Sequence, residues 1–402
     1  MDRKKKYRCL LLWFLCLDLL AAAWLGYRYL ERKIPDELFV SEGKEEQVKN
    51  MLDFPLLNFD DAITVSGDGS YLLKARILGV IPFKNVKVTP ADSESVMVSG
   101  DTVGIYMETD GVLVIDTGEI VSQEGYTQEP AKNIVKPGDY IVAFNDRTVH
   151  SKKELLDDLS ELGDLQVTLE VVRNGEKIPL SITPVKDVRG EYKLGIWVRD
   201  NVQGLGTVTF LTEQNEFGAL GHGIHDTDTN GLMEISGGKL YRTTIQNVVK
   251  GSSGNPGTME GMIVYNRYNL LGTIEKNTDA GIYGRLDKTE ELFGKKELVE
   301  TAAKEEIVTG PAKMRCFLED EVREFDIEVM KVDQETAEIN KGMMIRVTDE
   351  ELLEKTGGII QGMSGSPILQ NGKLIGAVTH VFVMDSTKGY GIFAETMLEQ
   401  LK

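Results

Sequence analysis

The spacing of apolar and polar positions changes character several times along the chain. Cys9 to Tyr27 reads CLLLWFLCLDLLAAAWLGY, nineteen residues in which Asp18 is the lone charge. About 17–25 apolar residues span a bilayer, so this stretch predicts a membrane segment. Residues 28–60 turn polar and charged with one helix-like stretch, and predict a spacer. Strand-like runs follow at 71–78 and 86–88, interrupted by Gly67-Asp68-Gly69 and Pro82. Within 95–187, strand-like runs at 103–107 and 112–116 precede the turn Lys136-Pro137-Gly138-Asp139. Residues 140–144 then alternate as a strand, and Ser151-Lys152-Lys153-Glu154 forms a capping box. The helix it opens carries Leu155, Leu156, Leu159 and Leu162 on one face. Strands at 166–173 and 177–182 flank Asn174-Gly175, a hairpin signal. From 188 to 402 the pattern is short apolar runs between Gly-rich turns, as at 193–198, 206–211, 374–379 and 382–384, which predicts an all-β domain. Two small barrels fit that length. Residues 289–306 are a charged, helix-forming interruption, and 394–401 predict a closing helix.

Composition and charge narrow the classes. The 41 Gly in 402 residues exceed the usual ~7% and agree with many tight turns. Of 45 Lys and Arg, five lie in residues 1–8; of 64 Asp and Glu, two precede residue 28. The remainder therefore sets 40 basic against 62 acidic side chains. So acidic a body argues against broad nucleic-acid binding, which needs clustered cations on a phosphate backbone. The basic residues before the apolar segment predict a cytoplasmic N-terminus and an exported remainder. Ala21-Ala22-Ala23 leaves a cleaved signal as the competing outcome to a retained anchor. Cys316 is alone in the exported part, so no disulfide forms within it. The four His show no metal-ligand spacing, and neither metal nor cofactor is expected.

The order of turn, strand, capped helix and hairpin in 95–187 resembles the PDZ domain of bacterial proteases. In such a domain a peptide adds as an extra strand, and backbone N–H groups near a Φ-Gly-Φ loop hold its terminal carboxylate. Val103-Gly104-Ile105 matches that loop.

The sharpest chemical motif is Gly362-Met363-Ser364-Gly365-Ser366-Pro367, which feeds an apolar hairpin through Asn371-Gly372. It resembles the nucleophile segment of chymotrypsin-like serine peptidases. A Ser hydroxyl needs a base to attack, so it must project from a tight turn. In the resemblance, the N–H groups of Gly362 and Ser364 form the oxyanion hole. Ser366 is the weaker nucleophile candidate, being followed directly by Pro367. Gly251-Ser252-Ser253-Gly254-Asn255-Pro256 repeats the motif but leads into a polar stretch, leaving Ser253 as an alternative. Cys316 lies in an ordinary strand-like setting. For the base, His222 sits between two Gly at the end of an apolar run; His225 precedes a solvated Asp/Thr turn, and His380 lies on a strand. Asp349 and Asp226 are the main candidates for the orienting carboxylate, with Glu350 a third.

Four segments narrow the resemblance. They are Gly218-Ala219-Leu220-Gly221-His222-Gly223-Ile224, Val347-Thr348-Asp349, residues 357–367, and Gly376-Ala377-Val378-Thr379-His380-Val381-Phe382. Together they resemble the SpoIVB peptidase family of endospore-forming bacteria. The resemblance implies a mainly β chain. A membrane segment (1–27) leads through a spacer and short β segment (28–94) to a PDZ domain (95–187) and a chymotrypsin-like double β-barrel serine peptidase domain (188–402). It implies His222 as general base, Asp349 as orienting acid and Ser364 as nucleophile. Asp349 lies only 15 residues before Ser364, unlike the wider separation in chymotrypsin-like enzymes, so its role rests on the family resemblance and not on spacing. In the family the peptidase is exported into the space between forespore and mother cell. There it cleaves a membrane-held regulator, releasing a membrane-embedded protease that processes the sigma-K precursor, and it also cleaves itself. The implied partners are protein or peptide substrates, including that regulator, a PDZ peptide ligand and the membrane. The alternative is an anchored PDZ scaffold whose peptidase-like domain is inactive.

Overall fold

In the computed structural model the described residues are 3–34, 36–41, 57–59, 63–64, 70–91, 94–293 and 298–402. They fall into two units, Met1–Ser93 and Glu94–Lys402.

In the first unit, helix α1 (Arg3–Lys33) contains the apolar stretch Leu11–Glu31 of 21 residues. At 1.5 Å per residue this spans about 32 Å, enough for a hydrocarbon core of ~30 Å. Leu12, Trp13, Leu20 and Trp24 are exposed on it. A small sheet follows, with Glu37–Ser41 parallel to Ile81–Ala91, which pairs antiparallel with Tyr71–Ile77. Val86 and Val88 are its buried centre. The expected spacer is therefore partly structured: residues 37–41 and 57–59 pair into this sheet, while 42–56 lie outside the described residues.

The second unit contains two closed barrels. The first is a ring of β1 (Thr102–Thr117), β5 (Ile196–Leu211), β6 (Glu216–Ala219), β7 (Ile235–Val249), β9 (Leu270–Thr278) and β10 (Gly281–Leu286), with β8 (Thr258–Ile263) paired to β7. The order β1-β7-β9-β10-β6-β5 closes because β5 also pairs with β1. Alternating residues of these strands, among them Val103, Ile105, Met107, Val208, Phe217 and Leu240, fill the interior. The second barrel closes as β11 (Gly310–Leu318), β12 (Glu321–Val332), β13 (Met343–Val347), β16 (Asp385–Phe393), β15 (Lys373–Phe382) and β14 (Pro367–Gln370). On β11, Ala312, Met314, Cys316 and Leu318 point inward with a period of two.

Between the halves of β1 and β5 grows a smaller unit with its own core of Val112, Ile141, Leu159, Leu169 and Val171. Its strands β2 (Tyr140–Phe144), β3 (Val167–Arg173) and β4 (Glu176–Ile182) continue the sheet from β1. Helix α2 (Lys152–Leu162) starts as the sequence predicts: Ser151 Oγ accepts from Glu154 N–H at 3.2 Å. The Glu154 carboxylate in turn accepts from His150 N–H at 2.8 Å. Asn174 and Gly175 adopt φ +53° and +78°, the primed hairpin turn. The buried Asp139 carboxylate holds its own turn through Lys136 N–H and takes a two-pronged Arg173 pair at 2.7 Å.

Two expectations are corrected here. The division of the second unit into 95–187 and 188–402 does not hold, because β1 and β5 are 16-residue strands that run through both the first barrel and the smaller unit. Residues 102–108 pair with 201–207 in the barrel, and residues 113–117 pair with 196–199 in the smaller unit, with a bulge between. The smaller unit is thus an insertion between the first two barrel strands. Val103-Gly104-Ile105 is also not a carboxylate-binding loop. Gly104 lies mid-strand, paired to Leu205 on one edge and Tyr241 on the other, so no edge is open to a peptide. Gly is required there because a Cβ would lie 2.6 Å from the Ile263 side chain. Within the expected interruption at 289–306, Leu298–Glu300 is a strand on Ser95–Val98, and 294–297 lie outside the described residues. The closing helix is present as α4 (Ala394–Leu398) followed by a 3-10 turn; α3 (Glu350–Thr356) lies between β13 and β14.

Candidate active site

Ser364 projects from a turn that joins the two barrels. Within the turn, Met363 N–H donates to Ile360 O, Ser366 N–H to Met363 O, and Gly365 N–H to Val378 O at 2.8 Å. Its carbonyls are taken by β5 of the first barrel. Thr207 N–H donates to Ser364 O at 3.0 Å, Thr207 Oγ1 to Gly362 O at 2.8 Å, and Thr209 Oγ1 to Gly365 O at 2.7 Å. Gly365 has φ +93°, and a Cβ there would lie 2.1 Å from Thr207 O, so a side chain would push the barrels apart. Among the described residues the N–H groups of Gly362 and Ser364 donate to no acceptor, whereas that of Met363 between them is bonded. Those two unspent donors are the pair named for the oxyanion hole.

His222 is delivered from the first barrel. After β6 the chain turns sharply, with Leu220 at φ +68° and Gly221 at φ +70°. A left-handed Leu costs on the order of 1–2 kcal/mol. The surroundings hold it: Leu220 N–H donates to Thr207 O at 3.2 Å, and its backbone abuts Gly365. The His222 ring packs on that of His380, centroids 4.8 Å apart. Ser364 Oγ donates to Thr379 O, the residue before His380, at 2.8 Å. Ser364 and His222 thus contact two successive residues of β15, Thr379 and His380. In this arrangement the hydroxyl is bonded to a carbonyl and not to the imidazole.

The His222 Nδ1 lies 2.9 Å from Gly223 O. A carbonyl only accepts, so Nδ1 carries the proton and Nε2 presents its lone pair. Burial pushes the His222 pKa below its ordinary value; the Gly223 carbonyl opposes this and His225 adds to it. His380 is pushed down to about 4, first by desolvation and then by His222, Lys341 and His225, with Glu338 opposing. Both rings are therefore neutral at pH 7, as a general base requires. His222, Ile224, His225, Asn230 and His380 line an open cleft of about 510 Å³.

Asp349 stands elsewhere. It is the N-cap of α3: Oδ1 accepts from Leu352 N–H at 3.1 Å, and Oδ2 from Asp326 N–H at 3.2 Å. Its charge is felt by Lys313 and Cys316 of β11. It follows the C-terminal end of β13, whereas Asn340 and Lys341, which adjoin Thr379 and His380, precede the strand's N-terminal end. The structure does not bring Asp349 to His222. Asp226 is spent on Arg199 and on the Asp228 and Thr229 amides, and Glu350 is exposed in the first turn of α3.

The other nucleophile candidates are accounted for. Ser366 Oγ is fully buried without a hydrogen-bond partner among the described residues. Ser253 lies in the turn between β7 and β8 and donates to Met384 O at 2.9 Å. That hairpin flanks the segment leading to Ser364 through Gln361 N–H to Gly257 O and Met259 N–H to Gln361 O. Burial pushes the Cys316 thiol up to about 12, so it holds no thiolate.

A strand edge that sequence reasoning missed lies open at the start of β5, next to α2. Leu194-Gly195-Ile196 has the Φ-Gly-Φ pattern, with Gly195 at φ +70° and a Cβ there 2.8 Å from Gly118 O. Residues 196–199 pair with β1 on one side only, and Trp197 among them is 68% exposed. The signal was present: the same three-residue pattern, followed by a strand.

A family model described as SpoIVB peptidase S55 matches residues 190–398. Solved structures similar to the chain include the PDZ domain of the SdrC-like protein of Listeria monocytogenes, with 21% identity, a TM-score of 0.19 and coverage of 22% of this chain and 87% of that one. The PDZ domain of the corresponding Listeria innocua protein has 26% identity and a TM-score of 0.19, covering 22% and 94%. The Rv3671c protease in its inactive form has 15% identity and a TM-score of 0.26, covering 50% and 83%. No curated protein matches the chain. The matched region holds the whole second barrel, the nucleophile turn and the histidine loop, and with them the chain belongs to the SpoIVB peptidase S55 family of serine peptidases.

Proposed function

We propose that the chain is an endopeptidase in which Ser364 is the nucleophile, His222 the general base, and the Gly362 and Ser364 amides the oxyanion hole. The observation that carries it is the pairing of two unspent amides at the Ser364 turn with a His222 tautomer that leaves Nε2 unprotonated. Ser364 Oγ rotates from Thr379 O to His222 Nε2, gives up its proton and attacks the peptide carbonyl. The two amides receive the oxyanion, each such donor contributing roughly 2.7–4 kcal/mol to the barrier reduction. The imidazolium then protonates the leaving amine, and water releases the acyl-enzyme. We place a peptide groove between α2 and the open edge of β5, which recruits peptides by strand addition with Leu194-Gly195-Ile196 at the terminal carboxylate.

The apolar helix α1 is compatible with a signal anchor. We place the peptidase on the extracytoplasmic face, between forespore and mother cell. Its substrate there is a membrane-held regulator whose cleavage leads to sigma-K activation, and the chain also cleaves itself. The match to the SpoIVB peptidase S55 family supports this reading of the physiology.

Fluorophosphonate labelling followed by peptide mapping tests the chemistry. The expected adduct is on Ser364, absent in Ser364→Ala and His222→Ala. An adduct on Ser253, or none from folded protein, would sink the assignment.

A further inference from the structure

We propose that the apolar tip of the first unit's hairpin, Leu78-Gly79-Val80-Ile81, inserts into the lipid bilayer beside α1 and gives the chain a second membrane contact. This rests on α1 being retained as a membrane anchor. The tip joins the strands Tyr71–Ile77 and Ile81–Ala91. Its turn closes through Val80 N–H to Ile77 O at 3.2 Å, with Leu78 at φ +54° and Gly79 at φ +73°. Those are the two left-handed positions of a primed turn, where Asn-Gly or Asp-Gly is the favoured pair. A Leu there strains the backbone and yet buries nothing within the unit, because Leu78, Val80 and Ile81 are all exposed, Val80 at 75%. Facing water, such a tip has no physical advantage over a polar turn. Facing hydrocarbon, every one of its side chains is removed from water.

The packing of the unit aims this tip at the membrane. Lys87 N–H donates to Asp36 O at 2.9 Å, and Lys84 Nζ donates to Ile34 O at 2.7 Å. The Phe83 ring meets that of Tyr27 edge to face, with centroids 5.1 Å apart. Followed from 87 to 83, the strand therefore runs back from beyond the end of α1 to Tyr27, inside the apolar stretch Leu11–Glu31. Trp24 and Tyr27 occupy the aromatic belt of a membrane–water boundary, and Arg28, Arg32 and Lys33 follow on the water side. Val80 lies beyond Phe83 by up to about 10 Å at ~3.3 Å per strand residue, which is the rise of roughly seven helical residues. That reach carries the tip to headgroup depth or deeper.

Charge selects the same partner. Residues 70–91 contain Lys74, Arg76, Lys84 and Lys87 and no acidic residue, in a chain of net charge −19. Lys84 also pairs with Asp36 at 2.8 Å. A basic stem below an apolar tip matches an anionic lipid surface, with the tip among the acyl chains and the cations at the phosphates.

The test uses the full chain reconstituted into phosphatidylcholine–phosphatidylglycerol vesicles. Cys9→Ala and Cys16→Ala direct an environment-sensitive NBD label to Val80→Cys, since Cys316 is buried. Quenching of Trp13 and Trp24 by doxyl-labelled lipid reports α1. The NBD emission should shift to the blue, be quenched by shallow doxyl lipid and resist iodide. The shift and the lipid quenching should both be lost with Leu78→Asp and Ile81→Asp, exposed positions whose change leaves the hairpin core of Val86 and Val88 untouched. A label open to iodide while the tryptophans are lipid-quenched would overturn insertion and leave the anchor in place. A label shielded from iodide but not quenched by lipid would put protein over the tip, a second copy included, and would overturn insertion as well. Tryptophans that escape lipid quenching would overturn the anchor and the insertion together.

Discussion

Asp349→Ala removes two acceptors from backbone amides and nothing from the histidine cleft. Its Oδ1 satisfies Leu352 N–H at the start of α3, and its Oδ2 takes Asp326 N–H on β12. Losing an Asp N-cap costs about 1 kcal/mol, within a range of ~0.5–2. The Asp326 amide is exposed, so water replaces that bond and adds little. For a unit of this size, about 1 kcal/mol lowers the melting temperature by roughly 2–4 °C. Asn caps a helix as well as Asp, so Asp349→Asn should melt within about 1 °C of wild type. The assay pairs differential scanning calorimetry with the Ser364 labelling rate, measured well below the melting transition. The expected result is a lower melting temperature in Asp349→Ala, little change in Asp349→Asn, and labelling near wild type in both. An Asp349→Asn protein that melts like wild type but labels more than tenfold slower would refute this reasoning, because only the carboxylate's charge would then be missing.

Gly195→Ala should weaken binding of a peptide with a free C-terminus, since φ +70° and the 2.8 Å approach to Gly118 O leave no room for a Cβ. Trp197, exposed beside the groove, reports binding by fluorescence; equal affinity in wild type and variant, or equal affinity for a C-terminally amidated peptide, would move the carboxylate site elsewhere. Because burial depresses the His222 pKa, the unfolded chain binds more protons than the native one below the ordinary His value of ~6.5. Its contribution to stability is thus present above that pH and is lost as pH falls toward the depressed native value. Denaturant midpoints between about pH 6.5 and 5 should fall less steeply in His222→Asn than in wild type, and parallel curves would show that His222 is not desolvated.

Much of this molecule is legible locally. The α2 cap at Ser151, the Asn174-Gly175 hairpin, the turn at Lys136–Asp139 and the tight Ser364 turn are each written within a few residues. Their hydrogen bonds close over short separations, so the residue types that favour them announce them. The apolar span of α1 is equally local, since length and composition alone decide it. The Ser364 and His222 motifs likewise lie at tight bends whose Gly residues are visible as text, although the carbonyl that sets the His222 tautomer is not.

What sequence could not show is which edges are paired. Val103-Gly104-Ile105 and Leu194-Gly195-Ile196 share one pattern, yet strands from far along the chain cover the first on both sides and leave the second open on one. The insertion of the smaller unit follows from β1 and β5 pairing over their full length, a register that no local run specifies. Asp349 stands near Ser364 in the chain, but the intervening helix and turn carry the two apart. Short-range bonds are chosen by neighbouring residues; strand pairing and charge proximity are chosen by which apolar faces can be buried together, and that is decided only by the folded whole.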